Sequence, residues 1–199
     1  MKILTIDVSP NGDKSASRTV AAKLLEKIKT TSSKVTSRDL NKNPIPHLNG
    51  ATVGAFFTPA EARSLEQNEL TALSDQLIDE LMESEVVIIS TPMWNFGPPS
   101  VLKAWIDHIT RVGKTFSYGA EGLKGLAGNR KIYVVISSGS IFSSGDYSTF
   151  DALIPALKSA FGFIGIQNVH FIRVEGTNDP KHKETAVTKA IEHINQIKV

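Results

Sequence analysis

Short aliphatic runs recur along the chain, and turn-forming residues bound each of them. Four runs, at 2–8, 85–90, 131–137 and 169–174, have the length and β-branched content of strands. The run at 85–90 holds four consecutive aliphatic residues, as a strand covered on both faces does. A fifth segment, 34–40, is polar enough to predict a strand at the edge of a sheet.

Helical periodicity fills the spaces between these runs. Segment 16–30 places its apolar residues on one helical face. Thr58-Pro59 followed by Glu61 predicts another helix start, with Thr58 as the cap, and the apolar face that follows continues to Met82. Further helices are predicted at 98–109, 148–161 and 180–197.

Five rounds of strand and helix predict the α/β fold class, as a doubly wound parallel sheet with helices on both faces. No repeat, low-complexity segment or linker divides the 199 residues, so we expect one domain over 1–199. In such folds ligands bind beyond the carboxyl ends of the strands. The loops after Val8, Ser90 and Ser137 are therefore the candidates for chemistry.

Composition narrows the classes of function. The net charge is +2 and no block of like charges exists, so nucleic acid is not an expected partner. The apolar runs are far shorter than a membrane span, and the N-terminus lacks the apolar stretch of a signal peptide. The chain has 0 cysteines, which excludes thiolate nucleophiles and fits a reducing compartment. We expect a soluble, cytoplasmic protein.

Loop 1 (residues 9–18) lies between a strand and a helix and carries three serine hydroxyls, those of Ser9, Ser15 and Ser17. With the free amides of the helix start they form a neutral, many-donor site suited to a phosphate. The loop is neither a Walker loop nor a dinucleotide fingerprint. The alternative stays open that Ser15 or Ser17 merely caps the helix.

Loop 2 (residues 91–100) follows a buried strand with Met93, Trp94 and Phe96, and prolines stiffen it. Its backbone amides are suited to the rim of a heteroaromatic ring, along which Trp94 and Phe96 would pack. Burial of these side chains in the core is the alternative. The string is too irregular for a core helix or strand, which favours the cofactor interpretation.

Loop 3 (residues 137–145) is a small-residue turn that allows backbone to approach a ligand, although an ordinary flexible turn explains it equally well. The glycine-rich segment 122–128 precedes a strand instead of opening a helix, so we interpret it as a loop. The five histidines lack metal-ligand spacing, and no nucleophile elbow is present. We therefore predict no catalytic side chain and no metal, and expect a cofactor to carry the reaction.

The chain resembles the FMN-dependent NADH:azoreductase family, within the wider flavodoxin-like quinone reductases. The resemblance runs from the first strand to the last helix and is carried by these motifs: Ser9-Pro10, Ser15-Ala16-Ser17, Arg38-Asp39-Leu40, Asn43-Pro44-Ile45-Pro46, Pro92-Met93-Trp94-Asn95-Phe96 and Phe161-Gly162-Phe163-Ile164-Gly165-Ile166. It implies a flavodoxin-like sheet of five parallel strands in the order 2-1-3-4-5. It also implies a homodimer with one tightly bound FMN per subunit and active sites at the dimer interface.

The same resemblance assigns roles to residues. The FMN phosphate would lie on Ser9, Ser15, Ser17 and the amide of Ala16. The isoalloxazine and ribityl chain would be lined by Pro92, Met93, Trp94, Asn95 and Phe96, with Ser137, Ser138 and Gly139 on another side. Tyr118 and Phe163 would enter the substrate pocket of the neighbouring subunit. Ala16 stands where many relatives carry Gln, and Trp94 where Tyr is frequent.

The activity implied is two-electron transfer from NADH or NADPH through FMN to a quinone or azo compound, in a ping-pong cycle. The rival interpretation is a flavodoxin-type electron carrier with no small-molecule turnover. Carriers present a strongly acidic face, which a net charge of +2 argues against. A flavin-free phosphoacceptor domain would need an Asp at the end of the 85–90 strand, and none stands there.

Overall fold

Alternation of side chains along the central strands builds two hydrophobic cores, one on each face of a sheet. In the computed structural model, which describes residues 1–197, Leu4 and Ile89 pack into one core. Their strand neighbours Ile3 and Ile88 pack into the other. Each face therefore needs its own cover of helices, and the chain forms three layers.

The strands are β1 Lys2–Asp7, β2 Lys34–Asp39, β3 Val86–Pro92, β4 Phe116–Gly119, β5 Gly122–Gly125, β6 Lys131–Ser137 and β7 Asn168–Val174. The helices are α1 Ala16–Ile28, α2 Gly50–Phe56, α3 Leu65–Glu83, α4 Ser100–Ile109, α5 Leu153–Phe163 and α6 Ala186–Gln196. In residues 1–197 none of these helices is both long and apolar enough to cross a bilayer.

The main sheet has the order β2-β1-β3-β6-β7 with every neighbouring pair parallel. This is the predicted 2-1-3-4-5 order once the separate hairpin β4–β5 is set aside, and the fold class is confirmed. The polar strand β2 lies at the edge, as its composition predicted. The order reverses at β1, so the carboxyl ends of β1 and β3 border the cleft of a doubly wound sheet.

The predicted helix start at Thr58 is wrong. The helix that follows, α3, begins at Leu65, because Ser64 and Gln67 form a complete capping box. The Gln67 amide donates to Ser64 Oγ at 3.2 Å, and the Ser64 amide donates to Gln67 Oε1 at 3.1 Å. Glu61 instead lies in a short 3-10 turn. Helix α2, which begins after the Asn49 cap, was not predicted.

The interpretation of 122–128 as a loop holds for 126–128 but is wrong for Gly122–Gly125, which forms strand β5 of an antiparallel hairpin with β4. The hairpin packs against the end of α5 through two glycines. A Cβ on Gly125 would lie 2.2 Å from the Gly165 nitrogen, and Gly165 itself has φ +93°. Glycine at both positions allows two backbones to touch.

The last two helices are shorter than their patterns predicted. Segment 146–150 forms a 3-10 turn before α5, and α6 occupies only the second half of 180–197. Helices α1 and α6 share one face of the sheet. Lys27 Nζ joins them by donating to the carbonyls of Ile194, Asn195 and Ile197 at 2.8, 2.9 and 2.9 Å.

Candidate functional site

The three candidate loops meet at one edge of the sheet. Strand register pairs Asp7 with Ser90 and Pro92 with Ser137, so the carboxyl ends of β1, β3 and β6 stand side by side. Loops 1, 2 and 3 leave from these ends. The predicted convergence of the loops is therefore present, in the cleft where doubly wound sheets bind ligands.

Loop 1 brings its three predicted serines together in a buried position. Ser9 and Ser15 are each 3% exposed and Ser17 is 0% exposed. Ser15 caps α1 by accepting from the Arg18 amide at 3.4 Å, and its hydroxyl lies 3.1 Å from that of Ser17. Within residues 1–197 the amides of Ala16 and Ser17 have no acceptor. Capping and a free donor set thus coexist in the same turn.

A clamp of charged residues holds loop 1 from behind. Arg18 Nη1 lies 2.7 Å from Asp39 and 3.6 Å from Asp7, and Nη2 donates to the Ser9 carbonyl. The Arg18 hydrogen bond lowers the pKa of Asp39 to about 2. The same bond raises the pKa of Arg18. The guanidinium is already engaged by two carboxylates, so a phosphate on this loop would be met by neutral N–H and O–H donors.

Loop 2 turns sharply at two residues with positive φ. Asn95 has φ 45° and Phe96 has φ 70°, and Trp94 and Gly97 exchange backbone hydrogen bonds of 3.2 and 3.0 Å across them. This is a type I′ turn, which is unusual for a bulky residue such as Phe96. In the described chain the amides of Asn95 and Phe96 have no acceptor.

Trp94 and Phe96 are 46% and 48% exposed. Burial of these two side chains in the core is therefore excluded, and both stand at the sheet edge with the loop 1 donors. The backbone strain at Asn95 and Phe96 is of the kind that clusters at ligand sites.

Two carbonyls of loop 3 accept hydrogen bonds from the loop after β7, and one amide of loop 3 has no acceptor among residues 1–197. The Ser138 and Gly139 carbonyls each accept a backbone bond of 3.1 Å, from Thr177 and Asn178. Among residues 1–197 the Gly139 amide has no acceptor. A Cβ at Gly139 would lie 2.8 Å from Asn178 Nδ2, so a side chain here would displace the end of the Asn178 side chain.

Tyr118 and Phe163 lie in a different aromatic group. Phe116 joins them, with ring centroids 5.7 Å from Tyr118 and 4.8 Å from Phe163. Tyr118 is 69% exposed, and Phe163 is half-buried against the core. The structure therefore brings the two predicted pocket residues together on one surface, through a Phe that the sequence did not single out.

Two open cavities have similar volumes but different surroundings. One of about 520 Å³ borders loop 3 and is lined by Gly139, Ser140, Tyr147 and Asn178, among others. One of about 510 Å³ lies near Lys2 and Lys34, at the amino ends of β1 and β2. The second is at the wrong edge of the sheet for a cofactor of this fold.

The residues present fit a flavin mononucleotide. Unpaired amides at the start of α1 suit a terminal phosphate, and exposed aromatic side chains with free amides suit a planar heteroaromatic ring. The fit has no need of a charged side chain.

Comparison with known proteins places this geometry in a family. The profile described as the flavodoxin-like fold matches residues 1–197, and the chain belongs to that family. The sequence is 46% identical over 200 residues to an FMN-dependent NADH:quinone oxidoreductase of Hahella chejuensis, covering 99% of each chain.

Solved structures with the same fold support this family assignment. An azoreductase from Bacillus anthracis superposes with a TM-score of 0.88 at 27% identity, covering 98% of this chain and 96% of that one. An FMN-dependent NADH-azoreductase from Bacillus anthracis, in complex with FMN, superposes with a TM-score of 0.84 at 25% identity, with 98% of each chain covered. The resemblance recognised in the sequence motifs is confirmed, and these relatives favour the reductase over the electron carrier.

Three residues that support loop 1 were not identified as such from sequence. They are Arg18, Asp39 and Asn41, whose side-chain amide donates to the Val8 carbonyl. Arg18 lies next to Ser17 in the chain, so a charged residue beside the predicted phosphate loop was visible in the sequence. Asp39 and Asn41 reach the loop from the end of a different strand, which no local pattern indicates.

Proposed function

We propose that this chain is an FMN-dependent NADH:quinone oxidoreductase that also reduces azo compounds. The observation that carries the proposal is the convergence of free amides, buried serines and exposed aromatic side chains at one sheet edge. The 46% identity to a protein named for this activity supports it.

Each loop has a separate part in holding the cofactor. We assign the phosphate to the hydroxyls of Ser9, Ser15 and Ser17 and to the Ala16 amide. The ring and ribityl chain are assigned to Pro92, Met93, Trp94, Asn95, Phe96, Ser137, Ser138 and Gly139. FMN bound by these residues would supply two-electron transfer between NADH and the acceptor.

The protein's own contribution is alignment and neutral electrostatics. The amides of Asn95, Phe96 and Gly139 are fixed donors, and fixed donors stabilise negative charge that develops on a bound ring without reorganising. Trp94 and Phe96 present flat apolar surface that excludes water and stacks planar substrates. Because no acid–base side chain is assigned, we expect no single substitution to abolish turnover.

A single aromatic-walled site would serve NADH and the acceptor in turn, which predicts a ping-pong cycle. The visible spectrum of the purified protein should show oxidised flavin. Initial rates with NADH at several menadione concentrations should then give parallel double-reciprocal plots. Intersecting lines would require both substrates to bind together, and absent turnover without a partner protein would restore the carrier interpretation.

We also propose a homodimer in which Tyr118 and Phe163 complete the partner's substrate pocket, with one FMN in each subunit. The support is the surface row of Tyr118, Phe116 and Phe163, which lies outside the three loops of its own chain. Residues 1–199 would act as one FMN-binding domain. A cytoplasmic enzyme without nucleic acid or membrane partners is the setting that we propose, to be tested by fractionation.

A further inference from the structure

Four aromatic side chains form a closed, solvent-facing cluster beside loop 2. Phe96 lies 6.2 Å from Phe142 and 5.6 Å from Phe150, between ring centroids. Tyr147 closes the circuit at 6.2 Å from Phe142 and 6.4 Å from Phe150. We call these four residues the aromatic rim. Only Phe96 of the four belongs to the residues assigned to the cofactor.

The aromatic rim is not part of a core. Phe96, Tyr147 and Phe150 are 48%, 54% and 52% exposed. A contiguous patch of large apolar side chains in water is a feature of binding surfaces more than of packing. Rings at these separations also leave edges and faces open for a further planar partner.

Ionic contacts hold the segment that carries the rim. Arg173, in β7, donates to Asp151, and its Nη1 lies 3.0 Å from Glu175 Oε1. Glu175 in turn accepts from the Phe142 amide at 2.8 Å and from Ser143 Oγ at 2.5 Å. Both ends of segment 142–151 are therefore tied to the end of β7, which fixes an otherwise exposed loop.

Segment 142–151 is also hydrogen-bonded to the turn of loop 2 through the next residue, Ala152. The Ala152 amide donates to the Phe96 carbonyl at 3.0 Å, and Phe96 holds its φ of 70° at that position. Phe96 therefore has a positive φ at the position where loop 2 meets the aromatic rim. The rim continues directly from loop 2, and the cavity next to loop 3 includes Tyr147 in its wall.

We propose that the aromatic rim is a second subsite, which takes the outer rings of a fused-ring acceptor whose reacting ring lies at the flavin. This rests on the proposed function and names its substrate class: polycyclic quinones in preference to single-ring ones. Arg173 and Glu175 are positioning residues that hold the rim in place.

The test compares acceptors of one, two and three rings: 1,4-benzoquinone, menadione and anthraquinone-2-sulfonate. In the holoenzyme, the double variant Tyr147→Ala, Phe150→Ala should raise KM for the three-ring acceptor about tenfold, with kcat close to wild type. Its calorimetric Kd should rise by the same factor. KM for benzoquinone and the Kd for FMN should not change.

The matched control is Tyr147→Phe, Phe150→Tyr, which keeps both rings and should keep the wild-type preference. Glu175→Gln removes the charge beside Arg173 without removing a ring, and should raise KM for the three-ring acceptor alone. A purely structural role would instead lower melting temperature and reduce all three acceptors alike.

Equal losses for all acceptors, or weaker FMN binding by the double alanine variant, would assign the rim to the cofactor and overturn the proposal. An unchanged Kd for anthraquinone-2-sulfonate would also overturn it. The proposed function fails separately, if the wild-type holoenzyme turns over none of the quinones. Calorimetry of the three-ring probe decides the subsite in that case too.

Discussion

Ser17 is fully buried at the start of α1, and within the described residues its hydroxyl has one partner, Ser15 at 3.1 Å. Serine in the first turn of a helix is common, so the residue type alone favours capping. Ser15 already supplies the cap through Arg18. The Ser17 hydroxyl is therefore not needed for the cap, and its contact with a phosphate stays a prediction.

Removing two of these hydroxyls should weaken the phosphate contact. The variant Ser9→Ala, Ser17→Ala should lose about 1–3 kcal/mol of FMN binding per unsatisfied phosphate contact. Calorimetry with FMN measures the loss. Riboflavin, which lacks the phosphate, is the matched ligand and should bind both proteins alike. An equal loss for both ligands, or none for FMN, would remove the assignment.

Asp39 predicts an acid-sensitive contribution to stability. Its folded pKa of about 2 lies below the unfolded value of about 3.9, because Arg18 binds the carboxylate. The stabilisation is complete well above pH 4 and is lost as pH falls toward 2. The side chain is 16% exposed, and about 2 kcal/mol of the free energy of unfolding should disappear over this range.

Urea unfolding at pH 6, 4 and 2 measures this slope. Asp39→Asn cannot titrate and should lack that part of the pH dependence, while being less stable than wild type at pH 6. Identical pH slopes for the two proteins would show that the Arg18–Asp39 pair contributes nothing to folding.

The ion pair between Arg18 and Asp39 could not be predicted from the sequence. The serines of loop 1 were predicted because a strand, a turn and a helix start are local. Arg18 and Asp39 are 21 positions apart and meet because β2 pairs in parallel with β1. Only the sheet order brings them together.

At the scale of elements, the hairpin β4–β5 depends on a backbone contact. Gly125→Ala would place a Cβ 2.2 Å from the Gly165 nitrogen, and backbone has little freedom to yield. We expect a loss of about 1–3 kcal/mol in the free energy of unfolding. Thermal and urea unfolding measure it.

Gly119→Ala is the matched control in the same hairpin. Nothing lies within 4 Å of the added Cβ there, so its effect should stay within about 0.5 kcal/mol. If the two variants were equally stable, the hairpin would have to be free to move away from α5.

Four strands of the main sheet were predictable because aliphatic runs are a local signal, and their parallel pairing followed from the alternation with helices. The hairpin strands β4 and β5 have no such runs and were not predicted. The start of α3 was not. Thr58 with Glu61 and Ser64 with Gln67 both match a capping box. The second box forms in the structure, where Arg63 adopts an extended backbone and its Nε donates to the Thr58 carbonyl at 3.0 Å. The sequence does not show which of two valid caps is used.

At the scale of the whole molecule, Phe161 and Phe163 are two phenylalanines in one helix with different surroundings. Phe161 is 0% exposed, whereas Phe163 is half-buried beside Phe116. Phe161 is therefore a core residue, and Phe163 lies near the surface. A contact with a partner subunit cannot be inferred from the pattern of one chain. The role of Phe163 in the partner's pocket therefore came from the family resemblance and stays a prediction.

Phe163→Ala should raise KM for the acceptor and change melting temperature little, because the residue is assigned to the partner's pocket. Phe161→Ala is the control and should cost about 3–5 kcal/mol of stability, as a buried Phe does. Dimer mass, melting and quinone kinetics are measured together. A Phe163→Ala protein that melts far lower yet keeps its KM would place Phe163 in the core.

The hydrogen bonds from Lys27 to the end of α6 have a consequence for folding during synthesis. Synthesis runs from the N-terminus, so α1 leaves the ribosome long before the helix it is fastened to. Until α6 emerges, one face of the sheet lacks half of its cover, although the residues of the opposite core have all been made by then. A nascent chain would therefore keep apolar surface exposed on the α1 side until α6 has been made and can pack there.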